Sequence, residues 1–226
     1  GLVGSEMCIR DRDKILLGDV FIRGGSSSGT HVLEEGRPIG QFYGLVCNGI
    51  DENGRYILVD KDGDGEISDP ADYDYIGSAQ PKLTYGITNS FRYKNFDLSF
   101  FLRGTIGNDI LNATRMAYAQ SGFLPGTNAL DDPLTYTLSE TPRFSNYYLE
   151  KGSFMRLDNL TLGYKIKALN GIRVYFTAQN LFVITKYKGL DPEVPMDSGD
   201  GLTPGVEPRE FYPKARTFSV GLNLNF

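Results

Sequence analysis

TFSVGLNLNF, residues 217–226, sets Phe218, Val220, Leu222, Leu224 and Phe226 in alternation with Thr217, Ser219, Gly221, Asn223 and Asn225. Side chains of a strand point alternately to its two faces, so this stretch has one oily face and one wet face. The oily face is complete to Phe226. Soluble edge strands rarely end so, because termini fray. A strand of a membrane β-barrel needs about ten such residues, apolar toward lipid and polar toward the lumen.

The same alternation recurs in pairs further back. Leu83, Tyr85, Ile87, Phe91 and Tyr93 share one face of 83–93, with Asn89 the exception, against Thr84, Gly86, Thr88, Ser90 and Arg92. A two-residue turn at Lys94-Asn95 leads to Phe96, Leu98, Phe100 and Leu102, which alternate with Asp97, Ser99 and Arg103. This spacing predicts a hairpin. A second pair follows: Leu160, Leu162 and Tyr164 in 154–165, then a turn through Asn170-Gly171, then Ile172, Val174, Phe176 and Ala178. The connections run short, long, short, long. In an up-and-down sheet that order puts the short turns at one end, as in outer-membrane barrels, with the long connections outside the cell. It also puts Tyr93, Phe96, Tyr164 and Phe226 at one level, where an aromatic girdle sits.

Composition agrees with strands. Tyr 14, Phe 14, Gly 27 and Trp 0 in 226 residues describe an aromatic, turn-rich chain. A net charge of −5 argues against a nucleic-acid binder, which shows a basic stripe. No apolar run approaches the roughly 20 residues of a membrane helix. Cys8 and Cys47 form no framework, and His31 is the one histidine, so zinc and serine-triad chemistry have little to stand on. Asp97 and Asp158 are the nearest candidates for a hydrolase pair, and nothing in their spacing brings them together. The expectation is that the chain is not an enzyme.

Residues 1–12, GLVGSEMCIRDR, share no pattern with the rest and resemble translated adapter read-through. They are set aside as a non-native segment. Residues 24–30, GGSSSGT, read as a flexible loop, and GRPIGQFYGLVCNGI (36–50) as extended. Part of 108–120 is compatible with a short helix.

DKDGDGEISDPAD (60–72) carries Asp60, Asp62 and Asp64 at alternate positions, then Gly65 and Ile67, the first half of an EF-hand-type loop. Glu66 offers a backbone carbonyl and Ser68 a ligand or a water site. The twelfth position is Ala71 in place of a bidentate glutamate, with Asp69 and Asp72 as nearby substitutes. The expectation is a structural Ca²⁺ on these residues; the plainer reading is a solvated acidic turn.

Two architectures remain open on these patterns. One is a transmembrane antiparallel up-and-down β-barrel, all-β and incomplete as given, because five crossings fall short of the roughly eight that a small barrel needs. The other is a soluble calcium-stabilised β-sandwich, such as a carbohydrate-binding module.

Several stretches resemble the C-terminal part of SusC/RagA-type TonB-dependent outer-membrane transporters of Bacteroidetes. They are GRPIGQFYGLVCNGI (36–50), DKDGDGEIS (60–68), IGSAQPKLTYGITNSFRYKNFDLSFFLRGTIGNDI (76–110), YYLEKGSFMRLDNLTLGYKI (147–166), QNLFVITKYKGLDPEV (179–194) and RTFSVGLNLNF (216–226). The resemblance implies that 13–226 is the C-terminal portion of an outer-membrane barrel of about 22 strands with a lumenal plug, its loops near 40–82, 105–153 and 186–214. It also implies a SusD-like surface lipoprotein as partner, energy supplied through the TonB complex, contact with outer-membrane lipid, and uptake of an oligosaccharide or peptide. The plug and the TonB box are expected to lie outside this stretch. Arg92, Arg103, Tyr175 and the aromatics of 105–153 are the residues placed to meet such a substrate.

Overall fold

A computed structural model describes residues 14–22, 25–122, 124–126, 128–167, 172–194, 201–207 and 212–224. The expectations for segment 1–12, the Asn170-Gly171 turn and Phe226 lie outside these residues. The chain divides into two compact units, one within 14–80, 108–151 and 193–207, the other within 81–107, 152–192 and 212–224.

The second unit is a single five-stranded antiparallel sheet in the order β13-β12-β11-β8-β7. Its strands are β7 (Leu83–Tyr93), β8 (Phe96–Ile106), β11 (Phe154–Ile166), β12 (Ile172–Thr185) and β13 (Thr217–Asn223). β7 and β8 have 11 residues each, β11 has 13 and β12 has 14. Eleven residues rising about 3.4 Å each and tilted about 45° cross about 26 Å, the height of an outer-membrane apolar band. Tyr93 pairs with Phe96 across the two-residue turn, and Lys94 takes φ 55°, the left-handed value that primed hairpin turns demand. The hairpin expected from sequence forms in the expected register.

The first unit holds a four-stranded sheet, order β1-β2-β3-β6, made of β1 (Ile15–Ile22), β2 (Gly25–Leu33), β3 (Gln41–Leu45) and β6 (Tyr73–Ser78). Two small ladders, β4 (Cys47–Ile50) with β5 (Tyr56–Leu58) and β9 (Asp109–Leu111) with β10 (Leu149–Lys151), complete its strands. Helices α1 (Ala113–Tyr118) and α2 (Pro133–Thr137) are short and capped by the side chains of Asn112 and Asp132. The core gathers Phe42, Tyr56, Leu111, Met116, Phe144 and Tyr148. One segment differs from expectation. The Gly/Ser tract expected as a loop is β2, because its backbone pairs with β1 whatever its side chains prefer. The long connections 40–82 and 105–153 carry strands, helices and this core, including the extended segment expected within 36–50 and the short helix expected within 108–120.

Among the described residues no helix is long and apolar enough to cross a membrane, which says nothing about strands.

Candidate functional site

The register of the five-stranded sheet sorts its side chains into rows. One row runs Phe91, Leu98, Leu162, Phe176, Val220 across all five strands, and the next runs Tyr93, Phe96, Tyr164, Val174, Leu222. Rings meet across strands, with Phe96 and Tyr164 centroids 4.6 Å apart and Phe176 and Phe218 6.0 Å apart. These side chains are not a core: Phe91 is 52% exposed, Leu162 45% and Val220 74%. A sandwich would bury them against a second sheet, so the soluble-module reading fails here. A contiguous apolar surface of this kind needs an apolar partner phase.

The opposite face is polar in the same order. Ser90, Ser99, Thr161, Thr177 and Ser219 form a row of hydroxyls, with Thr161 and Thr177 Oγ1 atoms 3.1 Å apart. The Arg173 guanidinium donates to Asp97 at 2.9 Å, and Arg103 donates to Asp158 at 3.1 Å. Asp97 and Asp158 are therefore bound to different arginines and do not make a carboxylate pair. Of the residues expected to meet substrate, Arg92 lies in register with Asp97, and Tyr175 lies beneath Arg173, 5.1 Å from its ring centroid. The aromatics of 105–153 divide: Phe144 and Tyr148 are core, whereas Tyr136 is 75% exposed.

In the aspartate turn the structure brings three of the seven expected residues together. Carboxylate oxygens of Asp60, Asp62 and Asp72 all lie within 4.8 Å of one another. Asp60 accepts from the Gly63 and Gly65 amides at 2.6 and 2.9 Å, and both glycines have positive φ, which is what the tight bend requires. Asp64 accepts from the Glu66 amide, the Ser68 amide donates to Asp72, and Asp69 is drawn to Arg143 at 2.7 Å. Asp62 is held above its usual carboxylate range: the Asp64 amide pulls it down, but lost hydration and the charges of Asp64, Asp72 and Asp60 outweigh that bond. Asp72 is held below its usual range by the Ser68 amide and then the Lys61 amide, against desolvation. A lowered carboxylate adds order that is complete above its unfolded value, about 3.9, and is lost as pH falls through the lower folded value. Hydrogen exchange at the Lys61 and Ser68 amides, relative to intrinsic rates, should therefore stay protected below pH 4 and rise only in stronger acid.

Elsewhere in the first unit, Tyr56 and Tyr148 share a hydroxyl hydrogen bond in the core. Burial pushes Tyr56 up to about 12 and Tyr148 further up. Burial also raises the Cys47 thiol. Each stays neutral near pH 7, so none is an activated nucleophile or base.

Sequence reasoning missed one cluster. Arg156, 1% exposed, donates to Asp191 at 2.5 Å and to Asn180. Asn180 in turn donates to the Lys214 carbonyl at 2.7 Å. Asp191 lies in KGLDPE, a stretch that sequence alone marks without giving it a role. Arg156 and Asp191 are 35 positions apart, and no local pattern joins them.

A long-stranded antiparallel meander, oily on one side and hydroxyl-lined on the other, has the two-faced pattern of a membrane β-barrel wall. No family model matches the chain. It is 36% identical over 228 positions to TonB-dependent receptor SusC of Bacteroides thetaiotaomicron, covering 92% of this chain and 21% of that protein. It is 34% identical over 237 positions to TonB-dependent receptor P3 of Formosa agariphila, covering 87% of this chain and 23% of that protein. A solved RagAB peptide transporter superposes with a TM-score of 0.69 at 25% identity, over 93% of this chain and 24% of that one. The chain belongs to the SusC/RagA-type TonB-dependent receptors. It spans between a fifth and a quarter of the length of these two curated relatives, which are named as receptors and not as enzymes.

Proposed function

We propose that this chain is the C-terminal part of the barrel wall of a receptor that imports an oligomeric nutrient, oligosaccharide or peptide, across the outer membrane. In this reading the TonB complex supplies the energy and a SusD-like lipoprotein on the cell surface is the partner. The observation that carries it is the two-faced sheet, with apolar rows outward and a hydroxyl row inward, together with the likeness to SusC and to the RagAB peptide transporter. A wall of hydroxyls and paired charges offers hydrogen bonds to a polar solute without catalysing anything. The connections 40–82, 105–153 and 186–214 then face outside the cell. The test is uptake of labelled oligosaccharides and oligopeptides by cells with and without the complete receptor. Accumulation of one class that requires both receptor and TonB is expected; equal uptake in all strains overturns the reading.

We further propose that Asp60, Asp62 and Asp72 hold a structural Ca²⁺, supported by their convergence and by the lost hydration and mutual repulsion that together raise Asp62. Hard oxygen ligands on a glycine-bent turn suit that ion. Asp64, Glu66, Ser68 and Asp69 then shape the turn or ligate through water. Calorimetric titration of the complete receptor should show a calcium event that the Asp60→Asn/Asp62→Asn variant lacks; identical isotherms for both proteins count against the site.

A further inference from the structure

In the first unit, β5 has one paired edge and one open edge. The Val59 amide donates to the Val46 carbonyl and the Asp51 amide to the Arg55 carbonyl, which turns the backbone of Arg55 and Val59 toward β4. Amides and carbonyls alternate between the two edges of an antiparallel strand, so those of Tyr56 and Leu58 face away from β4. No strand meets them there, since this sheet is β4-β5 alone. Glu140 stands in for one: its carboxylate accepts from the Tyr56 amide at 3.2 Å, where a neighbouring strand would place a carbonyl. Among the described residues none bonds the Leu58 amide or the Tyr56 and Leu58 carbonyls.

This edge opens into a groove of about 720 Å³, lined by β5 with Ile67, Glu140, Thr141 and Arg143. Ile57, 47% exposed, and Ile67 give the groove apolar surface. Ile67 belongs to the turn that sets Asp60, Asp62, Asp64, Glu66, Asp69 and Asp72 against Lys61. Arg143, the one cation of the lining, is already paired with Asp69 at 2.7 Å. The rim is therefore negative.

Donors and acceptors at strand spacing are completed by another extended backbone, which a sugar does not supply. With three residues, β5 offers about 10 Å of edge, short for a strand of a partner protein, whose interface buries about 800 Å² on each side. We infer that the open edge of β5 binds a short extended oligopeptide that carries lysine or arginine beside apolar side chains. One residue of the peptide exchanges both main-chain hydrogen bonds with Leu58. That this peptide is the imported nutrient rests on the reading of the chain as part of an importer; binding at β5 does not.

The probe is a fluorescein-labelled pentapeptide of alternating lysine and valine, titrated into the complete receptor in detergent and followed by anisotropy. Saturable binding is expected, weaker by about tenfold or more once the backbone amides of the peptide are methylated and cannot donate. Leu58→Pro deletes the outward amide at an edge position where proline is tolerated, and should weaken the unmethylated peptide by about as much. Ile57→Lys changes an exposed side chain and should also weaken it, by repelling the lysines; this variant carries the test if Leu58→Pro does not fold. Absence of saturable binding to the wild type overturns the site, and so does binding that methylation and both substitutions leave unchanged. Saturation only by a peptide several times longer makes the occupant a protein strand and overturns the short ligand. Uptake of the peptide that the variants leave unchanged overturns its role as the nutrient bound here, while the site stands. Binding without receptor-dependent uptake of any solute counts against the importer reading alone.

Discussion

Leu160→Arg is expected to lower assembly of the complete receptor in the membrane sharply, while Thr161→Arg, one residue along, leaves assembly near wild type. Leu160 lies in the row Asn89, Phe100, Leu160, Ala178, Phe218, on the oily face of the central strand. This row lies four positions along the strands from the Tyr93–Phe96–Tyr164 level, about 10 Å toward the middle of the apolar band. An arginine facing lipid near mid-depth costs about 2–4 kcal/mol, a factor of about 30–700 in the equilibrium constant for assembly. Thr161 belongs to the hydroxyl row, so an arginine there enters a wet interior and gives up only the hydroxyl contacts to Thr177 and Asn159. Heat-dependent gel mobility of outer-membrane fractions measures the folded share. Equal assembly of the two variants would mean that the faces are assigned wrongly.

Gly54→Val should unmake the contact between the 51–55 turn and the end of α2. Gly54 has φ 79°, a conformation a β-branched residue tolerates poorly. A Cβ there would also collide with the Thr137 carbonyl, which belongs to backbone and has no rotamer to escape into. The same turn accepts the Ser139 amide at the Gly54 carbonyl, 3.0 Å, and is closed by the Asp51 side chain on the Asn53 and Arg55 amides. The left-handed backbone alone costs about 1–3 kcal/mol, and the collision adds to it. Hydrogen exchange should accelerate in 51–58 and 134–139 together. Gly36→Asn is the control, because Gly36 has φ 81° with nothing near its Cβ position and asparagine accepts that conformation. Unchanged exchange in 51–58 and 134–139 in Gly54→Val would show that the close approach does not hold the turn to α2.

The hairpins were legible because period-2 alternation is a local signal and Lys94-Asn95 leaves room for one register only. Two faces, the turn end and the girdle level of Tyr93, Phe96 and Tyr164 all follow from that register. The Gly/Ser tract was misread for the opposite reason. Its side chains argue for a loop, and only the neighbouring backbone of β1 makes it a strand. The aspartate turn was legible in spacing, but its geometry was not: Asp69 is taken by Arg143, whose distance in sequence hides it, while Asp72 returns to join Asp60 and Asp62. The Arg156–Asp191 pair left no trace in local pattern, since a lone arginine in a strand reads as a wet-face residue until the chain that covers it is known.

Strand order in the five-stranded sheet follows chain order, so each strand lies beside its nearest predecessor in sequence. Hairpins such as β7–β8 close within about 1–10 μs, and β11–β12 has comparably little chain to gather. The distant stitches in this sheet are β8 to β11, with residues 107–153 between them, and β12 to β13, with residues 186–216 between them. Loop closure there grows only with the logarithm of length, about 0.6 kcal/mol per doubling, so a large insertion burdens each stitch lightly. Assembly thus becomes a zipper of preformed ribbons, and the connections can lengthen or diverge between relatives without slowing the order in which the ribbons join.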